Sequence, residues 1–369
     1  MRAFKIILTI LILAGVIVLC VVRWNAWFGN PPEPQWTGDT IEYSFFTFGQ
    51  DSVPGFGHNG IAWEECDDPD TLQIILFGDI HNSVTHSQFE AVANRHPHTD
   101  LYAQLGDFVE RGYFFYNQEL YHELHGTAFE NLPIINIPGN HEYQKGVRRT
   151  LPEYWSETFR QPLNGPLGFE GSTYYVDFDN LRLIAINTNG LQHLHEFTRV
   201  NAWTKRTIQT AGDRFVMVIM HHPVHSNGVG RQNIAITATF IRALSQADLV
   251  FAGHDHNYSR RLPYINISSA TKSYLHKLNK RDARVASGLQ LYENITVYGD
   301  TLHLQTLLLD SGEIYDEVLI VHNENGKEII DLAPSTPEII ATPERYKHSD
   351  SRKVERFRSR RTSRLESKK

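Results

Sequence analysis

Five short runs of the chain combine residues that can bind metals or move protons: "GDIHN" (78–82), "GDFVERG" (106–112), "GNHEY" (139–143), "MHHPVHS" (220–226) and "GHDHNY" (253–258). Taken singly, each has a plain explanation. A strand must stop, Gly, Asp and Asn stop it, and one His beside them is usually a surface residue or a satisfied hydrogen-bonding partner. Pooled, the runs offer Asp79, His81, Asp107, Asn140, His221, His254 and His256 as metal ligands, a set of nitrogens and oxygens without sulfur. Such a set suits Mn, Fe, Zn or Ni better than Ca or a soft metal. It is too large for one tetrahedral ion. It fits two ions about 3.5–4 Å apart that share a carboxylate and a hydroxide.

All five clusters follow apolar runs: "TLQIILF", "DLYAQL", "NLPIINIP", "RFVMVIM" and "ADLVFA". These read as strands, and ligands of open α/β sheets gather at the carboxyl ends of strands. In extended chain, residues two apart face the same way, so Asp79 with His81, and His254 with His256, are expected to reach common points. Helices are expected between the runs. Thr85 with Gln88 three residues on makes a capping box, and Pro97 a stop. Ile236, Phe240 and Leu244 fall on one helical face. "NAWTKRTIQTAGDRF" reads as an exposed helix, and "GSTYYVDFDNLRLIAINTN" as a hairpin of two strands.

In order and strand context, the five motifs resemble those of the calcineurin-like metallophosphoesterases, over about residues 72 to 258. The later segment from Gly288 to His322 is similar, more loosely, to the closing strands of the purple-acid-phosphatase-like branch. The resemblance implies a four-layer α/β/β/α sandwich of two mixed sheets with helices outside. It implies two divalent or trivalent transition-metal ions and a phosphoester substrate. Asp79, His81 and His256 would hold one ion and Asn140, His221 and His254 the other, with Asp107 bridging. His141 would protonate the leaving oxygen or steady the phosphoryl group. Arg111 would grip phosphate, and Glu110 would orient the catalytic His. The alternative for Glu110 and Arg111 is a surface ion pair at a helix start. His221, two residues before Pro223, matches the ligand position, with His222 behind it. Glu142 is expected to support the turn. The implied reaction is hydrolysis by in-line attack of a metal-bridging hydroxide.

The purple branch differs at two positions. Its metal-binding Tyr, three residues after the bridging Asp, is Glu110 here, and its first motif lacks the His that stands here as His81. The protein should therefore not be purple. The runner-up readings are a phosphomonoesterase acting on phosphoproteins or nucleotides, and a catalytically silent metal-binding scaffold. Tyr258 is placed either to line the pocket or to pack in the core.

The rest of the chain bounds these readings. The 369 residues are 41% hydrophobic and carry a net charge of −7, which argues against non-specific nucleic-acid binding by the body. The two cysteines, Cys20 and Cys66, exclude a disulfide framework and a thiolate-rich zinc site. Arg2 and Lys5 precede seventeen uncharged residues, Ile6 to Val22, and Arg23, Trp24, Trp27 and Phe28 follow. This pattern predicts an uncleaved signal anchor over 1–28 that crosses a membrane and leaves the rest outside the cytoplasm, with a cleaved signal peptide as the alternative. A Pro-rich linker (29–40), a phosphoesterase domain (41–335) and a basic, disordered tail (336–369) complete the expected organisation. From Pro343 on, the tail holds eleven Lys/Arg against four Asp/Glu, a composition for a solvated tail or for contact with anionic lipid or another polyanion. "NYS", "NIS" and "NIT" match the glycosylation acceptor pattern, as chance alone also allows.

Overall fold

The structure is a computed structural model that describes residues 2–28, 71–144, 150–152, 155, 159, 161–274, 281–332 and 339–340. The expected linker, the start of the domain at 41 and nearly all of the basic tail lie outside the described residues. Helix α1 spans Arg2–Phe28. Its described side chains, Ile6, Ile7 and 9–20, are exposed. Among the described residues no helix is long and apolar enough to cross a membrane.

The body contains two sheets. The first has seven strands in the order β14 (Gly326–Asp331), β13 (Ile314–Asn323), β12 (Thr301–Leu308), β11 (Leu291–Tyr298), β1 (Thr71–Phe77), β2 (Leu101–Gln104) and β3 (Ile134–Asn136). The second has eight: β15 (Ile339–Ile340), β10 (Arg284–Ser287), β8 (Asn257–Arg261), β9 (Tyr264–Asn266), β7 (Leu249–Ala252), β6 (Phe215–Met220), β5 (Leu181–Ile186) and β4 (Tyr174–Asp177). β1, β2 and β3 are parallel, as are β5, β6 and β7, while β11 runs antiparallel to β1 and β4 to β5. Both sheets are therefore mixed, and 171–189 forms the expected hairpin. β15 falls inside the segment expected to be a disordered tail, where its backbone pairs with β10.

Strand alternation sets the layers. On β1, Leu72, Ile74 and Leu76 point inward to meet Leu183, Met217, Ile219 and Phe251 of the other sheet. Ile75 and Phe77 point outward onto Phe89 and Val92 of α2 (His86–Arg95) and Leu120 and Leu124 of α3 (Phe114–Leu124). On the far side, Ile184, Val218 and Val250 pack against Val200 and Ile208 of α4 (Leu194–Gln209) and Ile236, Phe240 and Leu244 of α5 (Ile234–Leu244). The order helix, sheet, sheet, helix follows. Each fully buried apolar side chain of this kind contributes about 1.5–3 kcal/mol. α2 begins as its residues require, with the Thr85 N–H donating to Gln88 Oε1 at 2.9 Å. α4 starts earlier than the sequence suggests, because Glu196 Oε2 accepts the N–H groups of Gln192 and His193, both at 2.7 Å.

The sheets also share a buried polar seam. Tyr258 is in the core: its hydroxyl donates to Asp316 Oδ2 at 2.7 Å, and Arg260 Nε reaches the same oxygen at 2.7 Å. Thr306 Oγ1 donates to Glu293 Oε2 at 2.7 Å. The three glycosylation matches fall on Asn257, Asn266 and Asn294, all buried, so the folded chain presents none of them as an acceptor.

Candidate metal centre

The five clusters follow five parallel strands: β1, β2 and β3 of one sheet and β6 and β7 of the other. Their carboxyl ends meet along one rim. The side chains converge there into two groups that share a carboxylate, and a further cluster of His81, Glu110 and His141 shares His81 with the first. Asp79, His81, Asp107 and His256 each offer a ligand atom, all within 4.8 Å of one another, and Asp107, His221 and His254 do the same. Within the first group, His81 Nε2 is 3.0 Å from His256 Nε2 and 3.4 Å from Asp107 Oδ2. His256 Nε2 is 3.5 Å from Asp79 Oδ1. Within the second, His221 Nε2 is 3.4 Å from Asp107 Oδ2 and 3.3 Å from His254 Nδ1. Asn140 Oδ1 joins this group at 3.3 Å from His221 Nε2. All seven ligand candidates are thus brought together.

The backbone achieves this differently from the extended-chain expectation. His81, Asp107, His254 and His256 have φ of 52°, 53°, 66° and 49°, in the left-handed region. Each such non-glycine residue costs on the order of 1–3 kcal/mol and persists only where its surroundings enforce it. The chain curls sharply after β1, β2 and β7, so Asp79 and His81 reach one point by a turn. Gly253 permits a close approach, since a Cβ there would lie 2.6 Å from Asp79 Oδ2. Asp79 is held by the His254 N–H, which lies 3.0 and 2.8 Å from its two oxygens.

Most of the imidazoles are oriented from behind. Carbonyl oxygens only accept, so a ring nitrogen facing one carries the proton. His221 Nδ1 donates to Leu105 O at 2.9 Å, and His256 Nδ1 to Lys272 O at 3.2 Å. His81 Nδ1 faces Glu110 Oε2 at 3.2 Å. In all three rings the Nε2 atom is left toward the cleft, the arrangement that metal-binding histidines adopt.

Electrostatics agree with a cation. Burial drives His81 down to about 4 and His254 and His256 well below the ordinary range, so these rings are neutral and can donate lone pairs. Burial raises Asp107, but His221, His141 and His81 outweigh it and hold the carboxyl well below its usual range. Burial lowers His221, and Asp107 more than reverses this, to about 9. Burial lifts Asp79 to about 6, with Asp107 adding to the rise and His221 opposing it. The neutral imidazoles of His81, His254 and His256 beside two buried carboxylates fit metal ions, while the proton that Asp107 holds on His221 is one a bound ion would displace.

The remaining expected residues border this centre. His141 Nδ1 donates to the Glu110 carbonyl, and its ring stands 4.4 Å from that of His81. The Glu110 backbone therefore orients His141, while the Glu110 carboxylate faces His81. Arg111 is exposed beside them. Glu142 turns away from the cleft and accepts four backbone N–H groups: Asp107 at 2.8 Å, Gly139 at 2.6 Å, Phe108 at 2.7 Å and Val109 at 3.2 Å. His222 is tied to Thr188 Oγ1 at 2.9 Å, with its ring 4.5 Å from His254, and belongs to neither ligand group. Sequence reasoning missed Asp255, which anchors the 226–231 loop through Ser226 Oγ at 2.6 Å and Gly228 N at 3.0 Å. Its place inside "GHDH" was the available signal. Lys272 and Tyr274, which adjoin His256, carry no motif.

Comparison with known families agrees with this geometry. Residues 72–258, just over half of the chain, match the calcineurin-like phosphoesterase model. The chain belongs to the calcineurin-like phosphoesterase family. The candidate ligand groups at its strand ends fit the metal-dependent chemistry of a phosphoesterase. Among curated proteins none matches the chain. Among solved structures, purple acid phosphatase PPD1 from yellow lupin (Lupinus luteus) seeds is 12% identical with a TM-score of 0.54, over 69% of this chain and 54% of that one. The chain thus spans about half the length of that relative. PhoD is 9% identical with a TM-score of 0.54, over 85% and 79% of the two chains. GAP50, the anchor in the inner membrane complex of Plasmodium, is 13% identical with a TM-score of 0.50, over 73% and 91%. At these identities the likeness is one of fold.

Proposed function

We propose that this calcineurin-like phosphoesterase is a membrane-anchored, dinuclear enzyme that hydrolyses phosphate esters. One observation carries the dinuclear reading: two ligand groups meet at a single shared, buried carboxylate, Asp107. Asp79, His81 and His256 would hold one ion, Asn140, His221 and His254 the other, and Asp107 both. The donor set of imidazole, carboxylate and amide oxygen suits Mn, Fe, Zn or Ni. When bound, two such ions supply hydroxide near neutral pH and neutralise charge on the phosphoryl oxygens.

The protein's own groups do the rest. Neutral Asn140 in place of a carboxylate keeps the second site less negative. His141, with its Nδ1–H donating to the Glu110 carbonyl, keeps Nε2 for the substrate and, as the doubly protonated ring, donates the Nε2 proton to the departing oxygen. Exposed Arg111 pairs with a phosphate oxygen. A terminal phosphate of a monoester, with its greater charge, would use this Arg most, which favours the phosphomonoesterase reading as the second choice.

The membrane part rests on α1. Its 27 residues contain the uncharged run Ile6–Val22, and apolar side chains such as Ile10, Leu13, Ile17 and Leu19 are exposed. Arg2 and Lys5 against Arg23 orient the body out of the cytoplasm. Resistance to alkaline extraction and protection from external protease test this, and release by alkali would refute it.

The activity is tested on the full chain in detergent, with bound metal measured and a phosphomonoester and a phosphodiester assayed side by side in added Mn²⁺. About two metals per chain and turnover that disappears in Asp107→Asn are expected. Near-normal turnover in that variant would sink the assignment. Two metals without turnover on either ester would point to the scaffold.

A further inference from the structure

Beside the ligand groups, two cations and one aromatic ring form a wall against His254 and His256. The Arg231 guanidinium carbon lies 4.1 Å from the centroid of the Tyr274 ring, and the Lys272 ammonium lies 4.7 Å from the same centroid. That ring stands 4.7 Å from the ring of His256, and the Lys272 carbonyl accepts from His256 Nδ1. Arg231 is fixed in place. It donates to the His254 carbonyl, and its Nε faces Asp255 Oδ1 at 3.4 Å. Lys272 is half-buried, and among the described residues no carboxylate pairs with it.

Two cations sharing one aromatic ring beside ligand histidines need a reason. Asp255 balances Arg231, but nothing described balances Lys272. A partly buried ammonium without an anion is costly, and an anion arriving there would gain a charge-assisted hydrogen bond. Glu110 and His141 contact His81, whereas Tyr274 contacts His256, the other imidazole of the same ligand group.

We propose that Lys272, Arg231 and Tyr274 form a subsite for a second anionic group of the substrate, a carboxylate or a further phosphate beside the ester that is cleaved. The preferred substrates are then phosphoesters of negatively charged alcohols. This rests on reading the cleft as a phosphoester site, and narrows it.

The test uses metal-loaded full-length protein in detergent and two pairs of probes. 4-Carboxyphenyl phosphate and 4-carbamoylphenyl phosphate differ in charge but hardly in shape, and kcat/KM is measured for both. The non-hydrolysable 4-carboxybenzylphosphonate and 4-carbamoylbenzylphosphonate are compared by calorimetry. The wild type should favour the carboxyl member of each pair about tenfold, the factor of one good charged contact. In Lys272→Met both ratios should fall to near one, and Lys272→Arg should restore them. Equal values for the two members in the wild type, or a preference unchanged in Lys272→Met, would overturn the subsite. If neither aryl phosphate is cleaved while the phosphonate preference survives, the subsite stands and the hydrolase reading fails.

Discussion

The Glu142 carboxylate accepts the backbone N–H of Asp107 at 2.8 Å, so a residue of the third motif holds the carboxylate common to two candidate ligand groups. The same carboxylate takes the N–H groups of Phe108, Val109 and Gly139. It fastens the turn that puts Asp107 at a φ of 53°. Burial and the nearby Asp107 push Glu142 up to about 7, and these donors pull the other way.

Glu142→Gln should therefore harm both stability and metal binding. An amide keeps one acceptor oxygen and turns an N–H₂ toward backbone donors. At about 1–3 kcal/mol for each buried donor left unpaired, a loss of roughly 2–5 kcal/mol is expected. Urea unfolding measures it, and a metal content unchanged at full stability would contradict the bracing role.

Gly253→Ala should act on Asp79. The added Cβ would come within 2.6 Å of Asp79 Oδ2, and that carboxylate is already held by the His254 N–H. Metal affinity is expected to fall about tenfold or more, on the scale of damage to groups that orient ligands. Titration against a metallochromic competitor reads the change.

Chelation should lower the melting temperature. Bound metal stabilises the folded state by mass action, about 2.7 kcal/mol at a hundredfold excess over Kd. Without it Asp79 and Asp107 remain as buried neighbours of like charge. A drop of several degrees in EDTA, recovered with Mn²⁺, is the expected result. An identical melting curve would argue against a resident metal.

Arg260→Met should be severe. Arg260 is buried between the sheets, on Asp316 at 2.7 Å and on Asp331 at 2.9 Å. Removing one partner of a buried pair costs about 3–5 kcal/mol, because the other charge is left uncompensated. Denaturant unfolding checks it.

Stability should fall as pH rises, through Glu293. Burial holds its carboxyl well above the ordinary 4.5, so the folded chain keeps a proton that the unfolded chain releases. Its contribution is full below about 4.5 and is lost as pH climbs toward the folded value. Glu293→Gln, which still accepts from Thr306, should flatten the decline between pH 5 and 8. Parallel curves for the two proteins would rule out the buried proton.

Much of this protein is legible along the chain. Apolar runs that stop at Gly-Asp, Gly-Asn or His-His mark strand ends, because strand length and turn chemistry are local. The capping box at Thr85 and the face of Ile236, Phe240 and Leu244 are local too, and both appear in the structure. The candidate ligands were readable because they lie within a few positions of those ends. Other features depend on pairing between distant segments. The left-handed turns at His81, His254 and His256 replace the extended geometry that alternation suggests, since each is enforced by contacts across the rim. That Glu110 orients His141 by its carbonyl while its carboxylate faces His81 follows from two loops meeting. Tyr258 left the cleft for the core because Asp316, 58 positions away, accepts its hydroxyl. Lys272 and Tyr274 gain their setting only because the chain after β9 returns to His256. Residue types and local periodicity are properties of the sequence, whereas which buried groups find partners is decided when the two sheets close on one another.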